Sequence, residues 1–168
     1  MTAEPGACAV AHGETEEEPP GRTLVAVFAS PVSRYLLAYA ADTGYRTVLF
    51  EPDLARTAEG CDLRTALPEL DAGTDVVVTD HHRPELGEVL RAALAGAPRW
   101  IGVLGNPRHP GPHVAALTAL GVPAADIARV HRPVGLNIGS RTPPEIAIAT
   151  LAGLLADRND RPGGFDFP

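Results

Sequence analysis

With two cysteines in 168 residues, the chain falls outside the disulfide-framed scaffolds. Cys8 and Cys61 supply neither a disulfide framework nor a complete cysteine metal cage. No stretch approaches the ~20 consecutive apolar residues that a membrane-spanning helix requires, so no membrane role is expected. The first residues lack the basic and apolar regions of a secretory signal, which makes the cytoplasm the expected location. Basic excess is missing as well. The 14 Lys+Arg stand against 21 Asp+Glu, a formal net charge of −7, and nucleic-acid binding would need a clustered basic surface. There is also no P-loop, no G-x-S-x-G elbow, no H-E-x-x-H and no Cys–His pair, which excludes the classical NTPase and hydrolase readings.

What is present is the composition of an ordinary soluble globular protein, 45% hydrophobic and 21% charged, long enough for one domain. Glu4, Glu14, Glu16, Glu17 and Glu18, closed by Pro19 and Pro20, predict a disordered acidic tail over residues 1–21. The domain is expected over 22–158, with a flexible tail over 159–168. Cys8 lies in the acidic tail without a basic neighbour to lower its pKa, and reads as a bystander.

Leu24 to Phe28 is a short continuous apolar run, as expected of a buried parallel strand. Ser30 then offers an N-cap with Pro31 at the first helical position, predicting a helix over Val32–Thr43 that Gly44 terminates. Thr47–Phe50 reads as a second strand, completing a right-handed βαβ unit. A short helix is expected near Arg64–Leu70, then a strand over Asp75–Thr79, a helix over Pro84–Leu94 and a strand over Arg99–Leu104. Residues 105–112 are too rich in proline and glycine for regular structure. Helix follows over His113–Leu120, with a further turn over Ala124–Arg129. Val134, Leu136 and Ile138, two apart and opposite Gly135, Asn137 and Gly139, predict an extended segment with one packed face. Thr142, Pro143 and Glu145 then form a capping-box pattern that starts a largely apolar helix reaching Leu155. Strands alternating with helices imply an α/β three-layer sandwich, Rossmann-like, with a mostly parallel sheet.

Ligands of such sheets bind beyond the carboxyl ends of the strands, which selects the polar residues found there. They are Ser30 and Ser33 after the first strand, Glu51 after the second, His81 after the third, and Asn106 and Arg108 after the fourth. Before the last helix stand Gly135, Asn137, Gly139, Arg141 and Thr142. A glycine-flanked loop feeding a helix N-terminus suits an anion. The first loop has no glycine between Arg22 and Gly44, where a dinucleotide-binding protein carries G-x-G-x-x-G. Glu51 has two readings, a ribose ligand or a solvated strand-end carboxylate. Adjacent His81 and His82 point to opposite faces of an extended segment, so no metal site is expected.

The runs Trp100–Gly105, Ala119–Pro123, Ile127–His131 and Pro133–Ala149 resemble the XdhC/CoxI family, in its C-terminal Rossmann-like domain. HRPVGLNIGSRTPPEIA, starting at His131, follows the family pattern H-x-P-(I/V)-G-L-(D/N)-I-G-(A/S)-R-T-P-x-E-I-A throughout. The similarity covers roughly Thr23 to Ala156. It implies an accessory role in maturing molybdenum hydroxylases of the xanthine dehydrogenase or carbon monoxide dehydrogenase type. Such proteins bind molybdenum cofactor (molybdopterin), assist its sulfuration and pass it to the apoenzyme, without being hydride-transfer enzymes. The sequence departs from the family at several points. An acidic tail stands where the family has a cysteine-containing N-terminal domain, which leaves two readings open: a chain that works beside the apoenzyme and a separate protein of that N-terminal type, or a paralogue that has changed its ligand. Ala29-Ser30-Pro31 replaces G-x-G, Gly105-Asn106-Pro107-Arg108 replaces G-S-x-R, and Thr79-Asp80-His81-His82 replaces T-H-D. Two alternatives stay open, an NAD(P)-binding oxidoreductase-like domain and a ligand-free structural subunit of a complex or homodimer.

Overall fold

The computed structural model describes residues 21–56 and 60–164. The acidic tail and Cys8 lie outside them, as do the last four residues of the expected C-terminal tail. Six strands form one sheet: β1 (Arg22–Val27), β2 (Tyr45–Phe50), β3 (Leu63–Arg64), β4 (Thr74–Val78), β5 (Trp100–Val103) and β6 (Val130–His131). The helices are α1 (Pro31–Asp42), α2 (Leu86–Ala95), α3 (Pro112–Ala119), α4 (Ala124–Ile127) and α5 (Pro143–Arg158). The strand order is β3-β2-β1-β4-β5-β6 and every pairing is parallel. This is the doubly wound arrangement, whose order reverses beside β1.

The apolar runs become strands because both sheet faces are covered, leaving no solvent side for polar alternation. Leu24 and Ala26 of β1 face α1 and α5 and pack with Leu36, Leu37, Ala40, Leu151 and Leu154. Val25 and Val27 point the other way, into a cluster with Leu86, Leu90 and Leu117 of α2 and α3. Leu36 and Leu90 are fully buried, and truncating either to alanine costs about 2–5 kcal/mol through lost transfer energy and the cavity left behind.

Local chemistry places the helix starts. Ser30 caps α1, accepting a hydrogen bond from the Ser33 amide at 3.0 Å, while the Ser30 amide donates to Ser33 Oγ at 2.9 Å. Pro31 stands in the first turn, and Gly44 takes a left-handed φ of 83° just past the helix.

Two expectations are corrected. Residues 64–70 contain no helix; Leu63–Arg64 pairs with β2 instead, through Leu49 N–H to Asp62 O and Glu51 N–H to Arg64 O, both at 2.9 Å. Pairing with an open sheet edge won over weak helical propensity. Residues 134–138 are not a strand, because Gly135 and Gly139 turn the chain at φ of 89° and 70°. Ile138 therefore leaves the packed face and is 54% exposed. The sheet is wholly parallel, its sixth strand being the two-residue β6.

At the opposite end of the sheet from the strand tips, Asp75 is fully buried and holds α5 down. It accepts from Arg99 Nε at 2.6 Å, from Arg158 Nη2 at 2.9 Å and from the Tyr45 hydroxyl at 3.2 Å. Arg99 also reaches Asp157 at 2.6 Å, so the last turn of α5 is tied to β4 and β5.

Candidate functional site

A cleft of about 930 Å³ opens over the carboxyl ends of β4 and β5. Its floor includes Val32, Thr79 and Leu104. One wall is the β5–α3 loop from Gly105 to Arg108, the other the segment from Pro133 to Arg141, and Ile146 and Ala149 of α5 close the back. His81, Asn106, Arg108, Gly135, Asn137, Gly139 and Arg141 all line it, so residues up to 60 positions apart converge. Ser30, Ser33, Glu51 and Thr142 do not line it.

The first βα loop is spent on the chain itself. Ser30 Oγ donates to Thr79 Oγ1 at 2.9 Å, and Thr79 Oγ1 donates to the Phe28 carbonyl at 2.9 Å. Ser33 is 1% exposed and its hydroxyl serves the cap. Phe28 holds a left-handed φ of 71°, a conformation that costs a bulky residue roughly 1–2 kcal/mol and that glycine adopts freely. Its amide donates to Phe50 O at 2.8 Å, which helps to keep it there.

Glu51 is neither a ribose ligand nor solvated. It is 1% exposed and accepts from Arg83 Nη1 and Nη2, both at 2.9 Å, in a bidentate pair. Its two oxygens also accept the amides of Ala29 at 2.8 Å and Asp53 at 2.9 Å. Burial pushes the Glu51 carboxyl upward, but the Arg83 bonds and the two amides outweigh it and hold the group below its ordinary range. The Arg83 guanidinium stacks over the Phe28 ring at 4.6 Å. An internal carboxylate thus occupies the loop where a dinucleotide phosphate would need free amides and glycine. Arg83 was not singled out from sequence; only the fold brings it to Glu51.

The helix α5 N-terminus is also closed to an outside anion. Pro143 and Pro144 carry no N–H, and Glu145 Oε2 accepts the amides of Arg141 at 2.7 Å and Thr142 at 3.1 Å. Those amides hold the Glu145 carboxyl below its ordinary range. Thr142 is the N-cap and turns away from ligand duty. The anion reading therefore moves from helix amides to side chains.

Those side chains are suited to it. Arg108, Arg141 and His81 line the cleft and no Asp or Glu does, in a chain of net charge −7. All 14 basic residues are arginines, which stay charged at any working pH and present a planar fork to phosphate. Burial, His82 and Arg132 depress the His81 pKa, against the opposing pull of the Leu104 backbone and Asp80. That direction favours the neutral imidazole, which can accept a hydrogen bond.

The segment from Pro133 to Arg141 lies directly on the α5 backbone. The Leu136 amide donates to Ala149 O at 3.0 Å. A Cβ on Gly135 would come within 2.8–2.9 Å of the Ala149 carbonyl and the Thr150 nitrogen. One on Gly153 would come within 2.9 Å of Gly135 Cα. Gly153 went unnoticed in the sequence, where it reads as a blemish in an apolar helix; its signal was that α5 tolerates a glycine mid-span. Among the described residues no group of three or more His, Cys, Asp or Glu could hold a metal, and no helix is long and apolar enough to cross a membrane.

Comparison with known proteins agrees with this fold. Residues 24–154 match the XdhC Rossmann domain. The chain is 33% identical over 118 residues to YqeB of Escherichia coli (strain K12), described as an uncharacterized protein; the match covers 70% of this chain and 20% of YqeB. A crystal structure described as a xanthine dehydrogenase from Bacillus halodurans shares the fold at a TM-score of 0.68 and 24% identity, over 84% of this chain and 44% of that one. This chain thus spans less than half the length of either relative. On the extent of the domain match, the chain belongs to the XdhC family, its residues 24–154 forming the XdhC Rossmann domain.

Proposed function

We propose that this chain is an accessory factor in the maturation of a molybdenum hydroxylase of the xanthine dehydrogenase or carbon monoxide dehydrogenase type. In this reading its cleft holds molybdenum cofactor, or a related phosphate-bearing ligand, for transfer to the apoenzyme. The observation that carries the reading is a carboxylate-free cleft with apolar walls and an arginine-bearing rim in an otherwise acidic protein.

The residues fit such a ligand. A volume of about 930 Å³ lies within the ~300–1,000 Å³ usual for small-molecule sites. Val32, Leu104, Val134, Leu136 and Ile146 offer apolar surface to a flat heterocyclic body. Arg108 and Arg141 would hold the phosphate, and the side-chain amides of Asn106 and Asn137 supply both donors and acceptors to ring substituents. When bound, the cofactor itself supplies the metal and its sulfur ligands; this chain's residues bind, orient and shield it. Partners under this reading are the apoenzyme and a separate protein with the family's N-terminal-type domain, in the cytoplasm. The spent amides of the first loop weigh against NAD(P).

Calorimetric titration of the purified protein with molybdopterin tests the proposal. Arg108→Ala and Arg141→Ala should each weaken binding about tenfold or more, as charge-assisted hydrogen bonds to phosphate are lost, without lowering the melting temperature. Micromolar binding of NAD or NADP with no affinity for molybdopterin would overturn it.

A further inference from the structure

Arg132 follows β6 directly and precedes the wall that begins at Pro133, yet its side chain reaches across to the opposite wall. Its Nη1 donates to His109 O at 2.8 Å and its Nη2 to Asn106 O at 3.0 Å. Asn106 O also accepts the His109 amide at 3.1 Å, and Asn106 Oδ1 accepts the Arg108 amide at 2.9 Å. One guanidinium therefore grips both ends of the tight turn that presents Asn106 and Arg108. The path of the side chain is built for it. A Cβ on Gly105 would lie 2.5 Å from Arg132 Nη2 and 2.8 Å from its Nε, and one on Gly111 would lie 3.3 Å from Nη1. Arg132 Nε is itself buried without a hydrogen-bond partner. A buried donor without a partner calls for an explanation, and the two carbonyl bonds made by the rest of the guanidinium offer one.

We propose that Arg132 is a positioning residue that ties the two walls of the cleft together and sets the separation of Arg108 from Arg141 for a phosphate-bearing ligand. The ligand half of this statement rests on the function proposed above; the tie does not. The β5–α3 loop contains two prolines and two glycines over residues 105–111 and has no strand or helix pairing of its own before α3. Among the described residues, the hydrogen bonds left to shape its turn without the two carbonyl bonds are those of the His109 and Arg108 amides. Lysine in place of Arg132 keeps the charge but presents a single point donor, which does not reproduce a fork spanning two carbonyls.

The test uses the full chain as wild type, Arg132→Lys, Arg132→Gln and Gly105→Ala. The Gly105 variant leaves every charge in place while its Cβ evicts the guanidinium, so it stands in should the Arg132 variants fail to fold. Hydrogen exchange reads the 105–112 peptide against the β1 and β4 peptides, and calorimetry reads inorganic pyrophosphate as the probe. The expected result is about tenfold faster exchange confined to the loop and about tenfold weaker pyrophosphate binding in all three variants, Lys included. Loop exchange equal to wild type, or full pyrophosphate affinity in Arg132→Lys, would overturn the tie. A loop that loosens in protein whose wild type never binds pyrophosphate supports the tie and overturns the phosphate reading instead.

Discussion

Replacing Gly153 by alanine sets two effects of opposite sign against each other in α5. In a helix interior alanine is favoured over glycine by about 0.8–1 kcal/mol, so an unobstructed site would gain that much. Here the new Cβ would stand 2.9 Å from Gly135 Cα, 3.3 Å from its carbonyl carbon and 3.4 Å from the Leu136 nitrogen, all backbone atoms. Gly135 has nowhere to retreat while the Leu136 amide stays bonded to Ala149 O at 3.0 Å. Overpacking against fixed backbone costs about 1–3 kcal/mol. If the segment lifts instead, it forfeits that hydrogen bond, worth about 0.5–1.5 kcal/mol, and the wall of the cleft moves with it. The first route cancels or exceeds the propensity gain, and the second offsets most or all of it. The melting temperature by calorimetry should stay level or fall by up to roughly 8 °C, at about 2–4 °C per kcal/mol for a domain of this size. Affinity for molybdopterin should drop in parallel. A melting temperature raised by about 2–4 °C with the cleft's affinity intact would refute the argument, because it would show that the Gly135–Gly153 contact constrains nothing.

Glu51→Gln removes the charge of a buried bidentate pair and leaves Arg83 with the partly exposed Glu85 as its remaining carboxylate, so it should destabilise the fold by up to about 3–5 kcal/mol; a loss under about 1 kcal/mol in urea unfolding would count against the pair. His81 and His113 both titrate below their ordinary 6.5, chiefly through burial, with the Arg132 charge acting on each. The unfolded chain then binds more protons than the folded one below about pH 6.5, so stability should decline as pH falls through that value toward the depressed folded pKa values. Urea unfolding at pH 7.5 and pH 5.5 checks the sign, and flat stability across that interval would contradict it. Leu154→Ala, at the α1–α5 contact, should cost about 2–5 kcal/mol by the same measurement, and a smaller loss would mean that α5 packs more loosely than its 2% exposure implies.

Much of the architecture was open to a reader of the sequence because the signals are local. The runs LVAVF, TVLF, DVVVT and WIGV are too apolar and too short for surface helices, and each is a strand tip-to-tail in the same sheet. Ser30-Pro31 and Thr142-Pro143 with Glu145 mark helix starts through chemistry confined to four residues. The two-residue strands β3 and β6 escaped because two residues carry no periodicity; the sheet edge recruits them. The alternation of Val134, Leu136 and Ile138 imitated a strand, since period two cannot reveal that the intervening glycines stand at positive φ.

The site divides along the same line. Seven of the eleven residues chosen for their place after strands line one cleft, because a parallel sheet gathers all its strand ends on one side. Ser30, Ser33, Glu51 and Thr142 obeyed the same rule of position and were consumed by partners inside the chain. Polar type and location after a strand were written in the sequence. Whether a carboxylate meets solvent, a ligand or an arginine 32 positions away was not, because that depends on which loop folds over which. The sequence by itself determined the parallel α/β sheet, the capped helices and the family signature, all properties of short contiguous stretches. Tertiary structure alone decided that Arg83 fills the first loop, that Arg132 spans two walls and that Gly153 seats Gly135, since each joins residues that only packing makes neighbours.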